Sequence, residues 1–295
     1  MSTLQTVMSS SQEYGKNENV SQTDAEYTNV FTYTGLANRI SQDIDNRTKV
    51  ANVSTQITLY SSVDESTPAY TRNVDNWMID YTKALTCLTA ANGTSSTAEQ
   101  KLCTAITKRH CVTGWHFKPS NGDTLYFVTE DNTIISRTVT DVDILSDEDA
   151  AIVLLDSDLP SAIVPCKISP PELHELNTAD YAVISTDQER KLQCRDLGIF
   201  TDSGEVVTFK TPTDVDRLAL YEAAVLYDSS NPIWVAVGGE LWLVSTFLTG
   251  GTGAGPYYGY YVGDETLNNA IAQINSDNSV SGTYRVSVGN FNNLT

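Results

Sequence analysis

The sequence predicts a mainly β protein that ends with one helix. From about residue 67, short runs of β-branched, aromatic and aliphatic residues alternate with turn segments such as Asn121-Gly122-Asp123. Many short strands at close spacing are typical of a sandwich or a barrel. Apolar residues then recur at helical spacing between Glu265 and Asn275, which predicts a C-terminal helix that packs on the β body.

Nine runs carry the strand signal. They are Leu102–Ile106, Leu125–Thr129, Thr133–Thr138, Ala151–Leu155, Tyr181–Ser185, Glu205–Lys210, Ile233–Val237, Leu241–Phe247 and Tyr257–Val262. The last run contains Tyr257, Tyr258, Tyr260 and Tyr261. We interpret them as the alternating faces of a strand rather than as a platform on which carbohydrate stacks.

Residues 1–66 differ from this body because Ser, Thr, Asn and Gln dominate them. Such a segment is too polar to form its own core. Leu36, Ile40 and Ile44 stand at i, i+4 and i+8, which predicts a short helix with one narrow apolar seam. We divide the chain into a polar N-terminal arm, 1–66, and a β domain, 67–295. We expect neighbouring chains or other subunits to hold the arm.

Composition excludes several classes of partner. The chain has 295 residues and is 40% hydrophobic, which is enough for a sizeable core. Lys and Arg number 18 against 37 Asp and Glu, a net charge of −19, and this charge repels nucleic acid and anionic membranes. No run approaches the roughly 20 apolar residues of a membrane helix. Met1 to Ser11 lack a secretory signal.

The cysteines and histidines do not form a metal-binding pattern. The five cysteines have no CxxC spacing, so we expect free buried thiols, with room for one disulfide pair. The three histidines, His110, His116 and His174, are too few and too scattered for a metal cluster. The sequence therefore predicts neither a metal nor a cofactor.

A serine stands on a predicted tight turn between two apolar runs. The turn is Tyr227-Asp228-Ser229-Ser230-Asn231-Pro232, and the run Ile233–Val237 follows it. A fold can present a nucleophile rigidly on such a turn. The same residue types are also ordinary turn formers. Alone, this stretch leaves both interpretations open.

Three separated stretches together resemble the trypsin-like serine peptidases. Thr104–Phe117 is similar to the strand-turn-strand that ends in the catalytic histidine of that family, which places this position at His116. Asp149, followed at once by an apolar run, is similar to the aspartate of the family. Asp228–Pro232 resembles the Asp-Ser-Gly-Gly-Pro turn that carries the nucleophile, here Ser229. The chain order histidine, aspartate, serine is also that of the family.

The resemblance implies a fold and a set of roles. It implies two six-stranded antiparallel β-barrels with the site in the cleft between them. Ser229 would be the nucleophile, His116 the general base and then acid, and Asp149 the group that orients the imidazole. The backbone amides of Tyr227 and Ser229 would form the oxyanion hole. His110, six residues before His116, is interpreted as structural.

Several positions depart from the family pattern. Tyr227 stands where the family has a glycine before its Asp-Ser pair. Ala223 takes the position at the base of the specificity pocket and Phe247 a position in its wall, which predicts an apolar, narrow pocket. The family pairs a freed amino terminus with the aspartate beside the nucleophile, here Asp228. Arg72 is our candidate for the missing positive charge.

Two functions follow from the resemblance. Similar domains with a polar leader and a Gly-Thr-Gly-Ala-Gly-Pro segment, here Gly251–Pro256, occur in tailed-phage particle proteins. The first function is therefore a structural or attachment component of a virion, with a degenerate site and with residues 1–66 binding other virion subunits or further copies of the chain. The alternative is an active serine endopeptidase that cleaves peptide substrates with its Ser-His-Asp triad.

Overall fold

The computed structural model of the chain describes residues 33–92, 101–176, 181–201 and 203–291. These residues form fifteen β-strands and five α-helices. The predicted mainly β fold with a C-terminal helix is confirmed. None of the helices in the described part of the chain is long and apolar enough to cross a membrane.

The N-terminal elements lie mostly in the segment assigned to the polar arm. They are helix α1 (Tyr33–Thr48), helix α2 (Val53–Gln56), strand β1 (Tyr60–Asp64) and strand β2 (Ala69–Arg72). Strands β1 and β2 pair as an antiparallel hairpin. The polar composition gave no strand signal here, because β1 exposes four of its five side chains. Two 3-10 turns follow, Ile79–Tyr81 and Ala84–Cys87.

The first large sheet has six strands in the order β3-β6-β7-β8-β5-β4. Its strands are β3 (Thr89–Asn92), β4 (Thr104–Ala105), β5 (His110–Gly114), β6 (Thr124–Val128), β7 (Ile134–Ser146) and β8 (Ala150–Leu155). All pairs are antiparallel. A bridge between Leu88 and Thr104 joins the two edges of the sheet, and Thr89 N donates to Cys103 O at 3.0 Å. This sheet is therefore a nearly closed six-stranded barrel.

The second large sheet has seven strands in the order β15-β12-β11-β10-β13-β14-β9. Its strands are β9 (Lys167–Ile168), β10 (Ala182–Thr186), β11 (Leu192–Phe200), β12 (Val206–Lys210), β13 (Pro232–Val237), β14 (Glu240–Thr246) and β15 (Ala254–Pro256). Helix α3 (Val215–Ala219) lies in the connection between β12 and β13. Strand β9 pairs parallel with β14, so the sheet is not wholly antiparallel. A second six-stranded barrel stays a prediction.

Helix α1 packs on the body of the same chain. Its predicted seam is buried: Leu36 and Ile40 join a core cluster on the second sheet, and Ile44 joins a larger cluster that includes residues of both sheets. The Arg217 guanidinium adds an ion pair to Asp45 of the helix at 2.6 Å. Residues 1–32 lie outside the described residues, and other subunits as partners of the arm stay a prediction.

The strand predicted over Tyr257–Val262 is wrong, because this segment forms helix α4 (Tyr258–Gly263). Tyr258 and Tyr261 are buried one helical turn apart, a spacing that a helix places on one face. Three of the four tyrosines are buried, which also excludes the carbohydrate platform. The predicted C-terminal helix is present as α5 (Thr266–Asp277), and its buried face includes Leu267, Ile271 and Ile274.

Candidate active site

The structure brings His116, Asp149 and Ser229 together. His116 Nε2 lies 2.9 Å from Ser229 Oγ, and His116 Nδ1 is hydrogen-bonded to Asp149 Oδ2. The backbone N–H of His116 also donates to Asp149 Oδ1 at 2.8 Å. In this arrangement Nδ1–H donates to the carboxylate, so that Nε2 is free to accept the serine proton.

Strand pairing explains why the histidine meets the aspartate. Strand β5 ends at Gly114, and the 3-10 turn Trp115–Phe117 carries His116 directly after it. Gly114 is paired with Ala150 at the start of β8, one residue after Asp149. Trp115 N donates to Asp149 O at 2.9 Å, which joins the turn that carries His116 to the turn that carries Asp149. The position of both side chains is thus set by the barrel register.

Three residues of the site have unusual backbone conformations. Asp149, Tyr227 and Ser230 have φ values of 63°, 78° and 73°, which lie in the left-handed region. Non-glycine residues adopt this region at a cost, and such residues cluster at functional sites. Tyr227 and Ser230 flank Ser229, so strain is concentrated at the nucleophile turn.

Asp228 anchors the nucleophile turn through backbone amides. Its buried carboxylate accepts hydrogen bonds from Gln188 N at 3.0 Å and from Val225 N at 2.7 Å. The Asn231 side chain donates to Asp228 O at 3.1 Å and accepts from Thr186 Oγ1 at 2.8 Å. Burial raises the pKa of Asp228, and the positive charge of Arg195 opposes that shift.

The proposed role of Arg72 beside Asp228 is wrong. The Arg72 guanidinium is buried against the first barrel, where it donates to the Val128 and Thr129 carbonyls. The cation near Asp228 is Arg195, on β11. Arg195 could not be found from the sequence, because a lone arginine within an apolar strand carries no motif.

The oxyanion-hole candidates have free donors. Among the described residues, neither Tyr227 N–H nor Ser229 N–H has a hydrogen-bond acceptor, whereas the intervening Asp228 N–H donates to Val225 O. Two unpaired amides beside a nucleophile are the donors that an oxyanion requires. The Tyr227 ring lies 6.1 Å from the Phe117 ring, centroid to centroid.

Aromatic and cationic groups fill the space behind the nucleophile turn. The Phe247 ring is buried, and a Cβ on Gly253 would overlap it. The buried Arg195 guanidinium lies 4.8 Å from the Phe247 ring centroid and 4.9 Å from that of Tyr221. Ala223 is exposed and so does not form a buried pocket floor. The segment after it exposes the apolar side chain of Leu226, three residues before Ser229.

An open cleft lies away from the triad. It has a volume of about 380 Å³ and lies between α1, Tyr81 and the Gly238-Gly239 turn. The Gly238-Gly239 turn follows the last residue of β13, whereas Ser229 lies three residues before the first residue of that strand, Pro232. At about 3.3 Å per residue, β13 separates the two places by roughly 17 Å. The cleft is therefore distinct from the site of Ser229.

The remaining histidines and the cysteines have structural surroundings. His110 is fully buried, and His174 is exposed. All five cysteines are free and buried, so the predicted free thiols are confirmed. Burial raises the pKa of the Cys103 thiol to about 12. Within the described residues, no group of three or more His, Cys, Asp or Glu side chains could hold a metal ion.

Comparison with known proteins gives no assignment. No protein-family model matches the chain, and no curated protein matches it.

Proposed function

We propose that the protein is a serine hydrolase of the trypsin-like type that cleaves peptide bonds by acyl transfer through Ser229. The observation that carries this proposal is the 2.9 Å distance from His116 Nε2 to Ser229 Oγ, with Asp149 on the other ring nitrogen. The nearly closed first barrel supports the trypsin-like fold, since it presents the histidine and the aspartate from neighbouring strands. The second barrel belongs to the same proposal.

The mechanism has two halves, acylation and deacylation, and His116 acts first as a base and then as an acid in each. Ser229 Oγ attacks the peptide carbonyl while His116 Nε2 takes the hydroxyl proton, and the Tyr227 and Ser229 amides donate to the resulting oxyanion. The carbon–nitrogen bond then breaks, and the imidazolium gives the proton to the leaving amine. Water next attacks the acyl carbon while His116 takes its proton; the ester bond to Ser229 Oγ then breaks, the imidazolium returns the proton to Ser229 Oγ, and the acid is released. Asp149 holds the imidazole and stabilises its charged form.

The nucleophile turn requires no cleavage of the chain. In the family to which we compare the protein, a freed amino terminus pairs with the aspartate beside the nucleophile. Here the Gln188 and Val225 amides bind the Asp228 carboxylate, and the charge of Arg195 lies nearby. We therefore expect the uncleaved chain to be competent.

A structural or attachment role in a tailed-phage particle is the second proposal. One observation favours it: Tyr227 occupies a left-handed position beside the nucleophile, and a non-glycine residue there is strained. In the family the glycine at this position supplies half of the oxyanion hole, so a tyrosine in its place favours a degenerate site. Binding to other subunits through residues 1–66 is part of this second proposal.

The test is active-site labelling of the intact chain. A fluorophosphonate should label Ser229 in the wild type, and labelling should vanish in Ser229→Ala and fall steeply in His116→Ala. Ser41→Ala, which removes a buried hydroxyl from α1, is the matched control and should label normally. A folded wild type that stays unlabelled at high reagent would refute the hydrolase.

The particle proposal is tested separately, by deleting residues 1–32. A deletion through residue 66 would remove the buried Leu36 and Ile40 and so disturb the core itself. With the shorter deletion, loss of self-association or of subunit binding, measured by sedimentation, would support the proposal. Unchanged association with other virion subunits would contradict it.

A further inference from the structure

The hydroxyl of Ser230 joins the nucleophile turn to the segment that carries His116. Ser230 is fully buried, and its Oγ accepts from Gly114 N at 3.0 Å. The same Oγ lies 3.5 Å from Phe117 O, to which its proton can be donated. Gly114 and Phe117 lie on either side of Trp115 and His116, so one side chain holds both ends of the histidine turn.

Gly114 is the residue that makes room for this hydroxyl. A Cβ built on Gly114 would lie 3.0 Å from Ser230 Oγ and 3.3 Å from Asp149 Oδ2. The backbone of Gly114 has φ −74° and ψ 136°, which any residue can adopt. Its lack of a side chain is therefore explained by space rather than by backbone conformation.

Gly114 and Ser230 are complementary in volume. The hydroxyl group of Ser230 fills the space that a methyl group on Gly114 would otherwise occupy. Ser230 has a left-handed φ of 73°, a conformation that costs more for a serine than for a glycine.

We propose that Ser230 is a positioning residue whose hydroxyl fixes the separation of Ser229 and His116, and that it forms a coupled pair with Gly114. This inference rests on the proposed hydrolase function. The attacking hydroxyl and its base must be held within a few tenths of an ångström of the productive geometry. A bond that ties the residue after the nucleophile to both ends of the histidine turn provides that restraint.

Single substitutions should separate positioning from stability. Ser230→Ala should slow labelling of Ser229 by fluorophosphonate roughly tenfold, and Gly114→Ala at least as much, because its methyl group presses on Ser230 and Asp149. Ser41→Ala is the matched control, since Ser41 Oγ accepts from Ala182 N at 2.9 Å in an equally buried setting. It should lower the thermal midpoint by a similar amount and leave the labelling rate unchanged.

The double substitution tests the coupling. In Gly114→Ala combined with Ser230→Gly, the new methyl group takes the volume of the lost hydroxyl, so the steric part of the Gly114→Ala loss is relieved. The two hydrogen bonds of the hydroxyl stay lost, so the labelling rate should be about that of Ser230→Ala alone, roughly tenfold below wild type. Gly114→Ala combined with Ser230→Ala also removes the Oγ atom on which the methyl group would press, so it should label at a similar rate. Losses that merely add in the first double variant would overturn the proposal.

An NMR measurement that does not depend on turnover distinguishes failure of the positioning role from failure of the proposed hydrolase function. The nitrogen-bound proton and the ring signals of His116 can be followed by NMR in each variant. Ser230→Ala and Gly114→Ala should shift them, and Ser41→Ala should not. If the wild type is unlabelled but these shifts occur, the hydrolase proposal fails and the positioning role stands. Unchanged signals in Ser230→Ala and Gly114→Ala would refute the positioning role whatever the activity.

Discussion

His110 should make the stability of the protein depend on pH. The imidazole is fully buried on β5, with Nδ1 2.9 Å from Thr107 Oγ1 and Nε2 3.0 Å from Asn275 Oδ1. An amide oxygen only accepts, so Nε2 carries the proton and Nδ1 accepts from the threonine. Burial lowers the pKa of His110 to about 4, and the charge of Arg109 adds to this, while Asn275 and Asp158 oppose it.

The direction and the size of this pH dependence follow from the difference between the pKa of His110 in the folded chain and in the unfolded chain. A histidine in the unfolded chain has a pKa of about 6.5, so between pH 6.5 and 4 the unfolded state binds a proton that the native state does not. Stability is therefore fully present above pH 6.5 and is lost as the pH falls toward 4. From these two pKa values the loss between pH 8 and pH 5 is about 2 kcal/mol.

The assay is urea unfolding at a series of pH values. His110→Gln keeps one amide donor and one acceptor but cannot be protonated in this range. Its free energy of unfolding should fall by about 2 kcal/mol less than that of the wild type between pH 8 and pH 5. His174→Gln is the control, because the His174 side chain is exposed to water. If wild type and His110→Gln lose stability in parallel, the reasoning is refuted.

Three further predictions concern single positions. Tyr227→Gly should keep Ser229 labelling and change the free energy of unfolding by less than about 1 kcal/mol, because relief of left-handed strain offsets the lost ring contact; abolished labelling would contradict this. Gly198→Ala places a Cβ 2.6 Å from a carbonyl oxygen of β12, so urea unfolding should show a loss of about 2 kcal/mol. On the proposed peptidase function, Leu226→Ser should lower kcat/KM about tenfold for peptides with a bulky apolar residue beside the cleaved bond. Val215→Ser, equally exposed on α3, should leave kcat/KM unchanged.

The sequence was sufficient to predict that His116, Asp149 and Ser229 lie together. Their signal was the resemblance of the three stretches, and of their order, to the trypsin-like pattern, and the register of β5 and β8 then sets the separation of His116 and Asp149. The surroundings could not be predicted in the same way. The contact between Ser230 and Gly114 joins positions 116 residues apart, and it depends on the packing of two turns that no local pattern specifies.

The incorrect predictions have physical causes. The segment Tyr257–Val262 is rich in aromatic residues, which favour strands, but burial of Tyr258 and Tyr261 on one face selects a helix. Strand β11 gave no signal, because its buried positions include Arg195 and Asp196, whose charges are satisfied by partners distant in sequence. Tertiary contacts, which composition does not reveal, decided both cases.

The five buried thiols can report local opening of the folded structure. A small alkylating reagent reaches a sulfur that is closed off from solvent only when the surrounding structure separates. Cys111 lies on β5 of the first barrel and Cys194 on β11 of the second sheet, and both belong to one continuous hydrophobic core. The rate at which each is modified would therefore report, with no added probe, how often the structure around that cysteine opens.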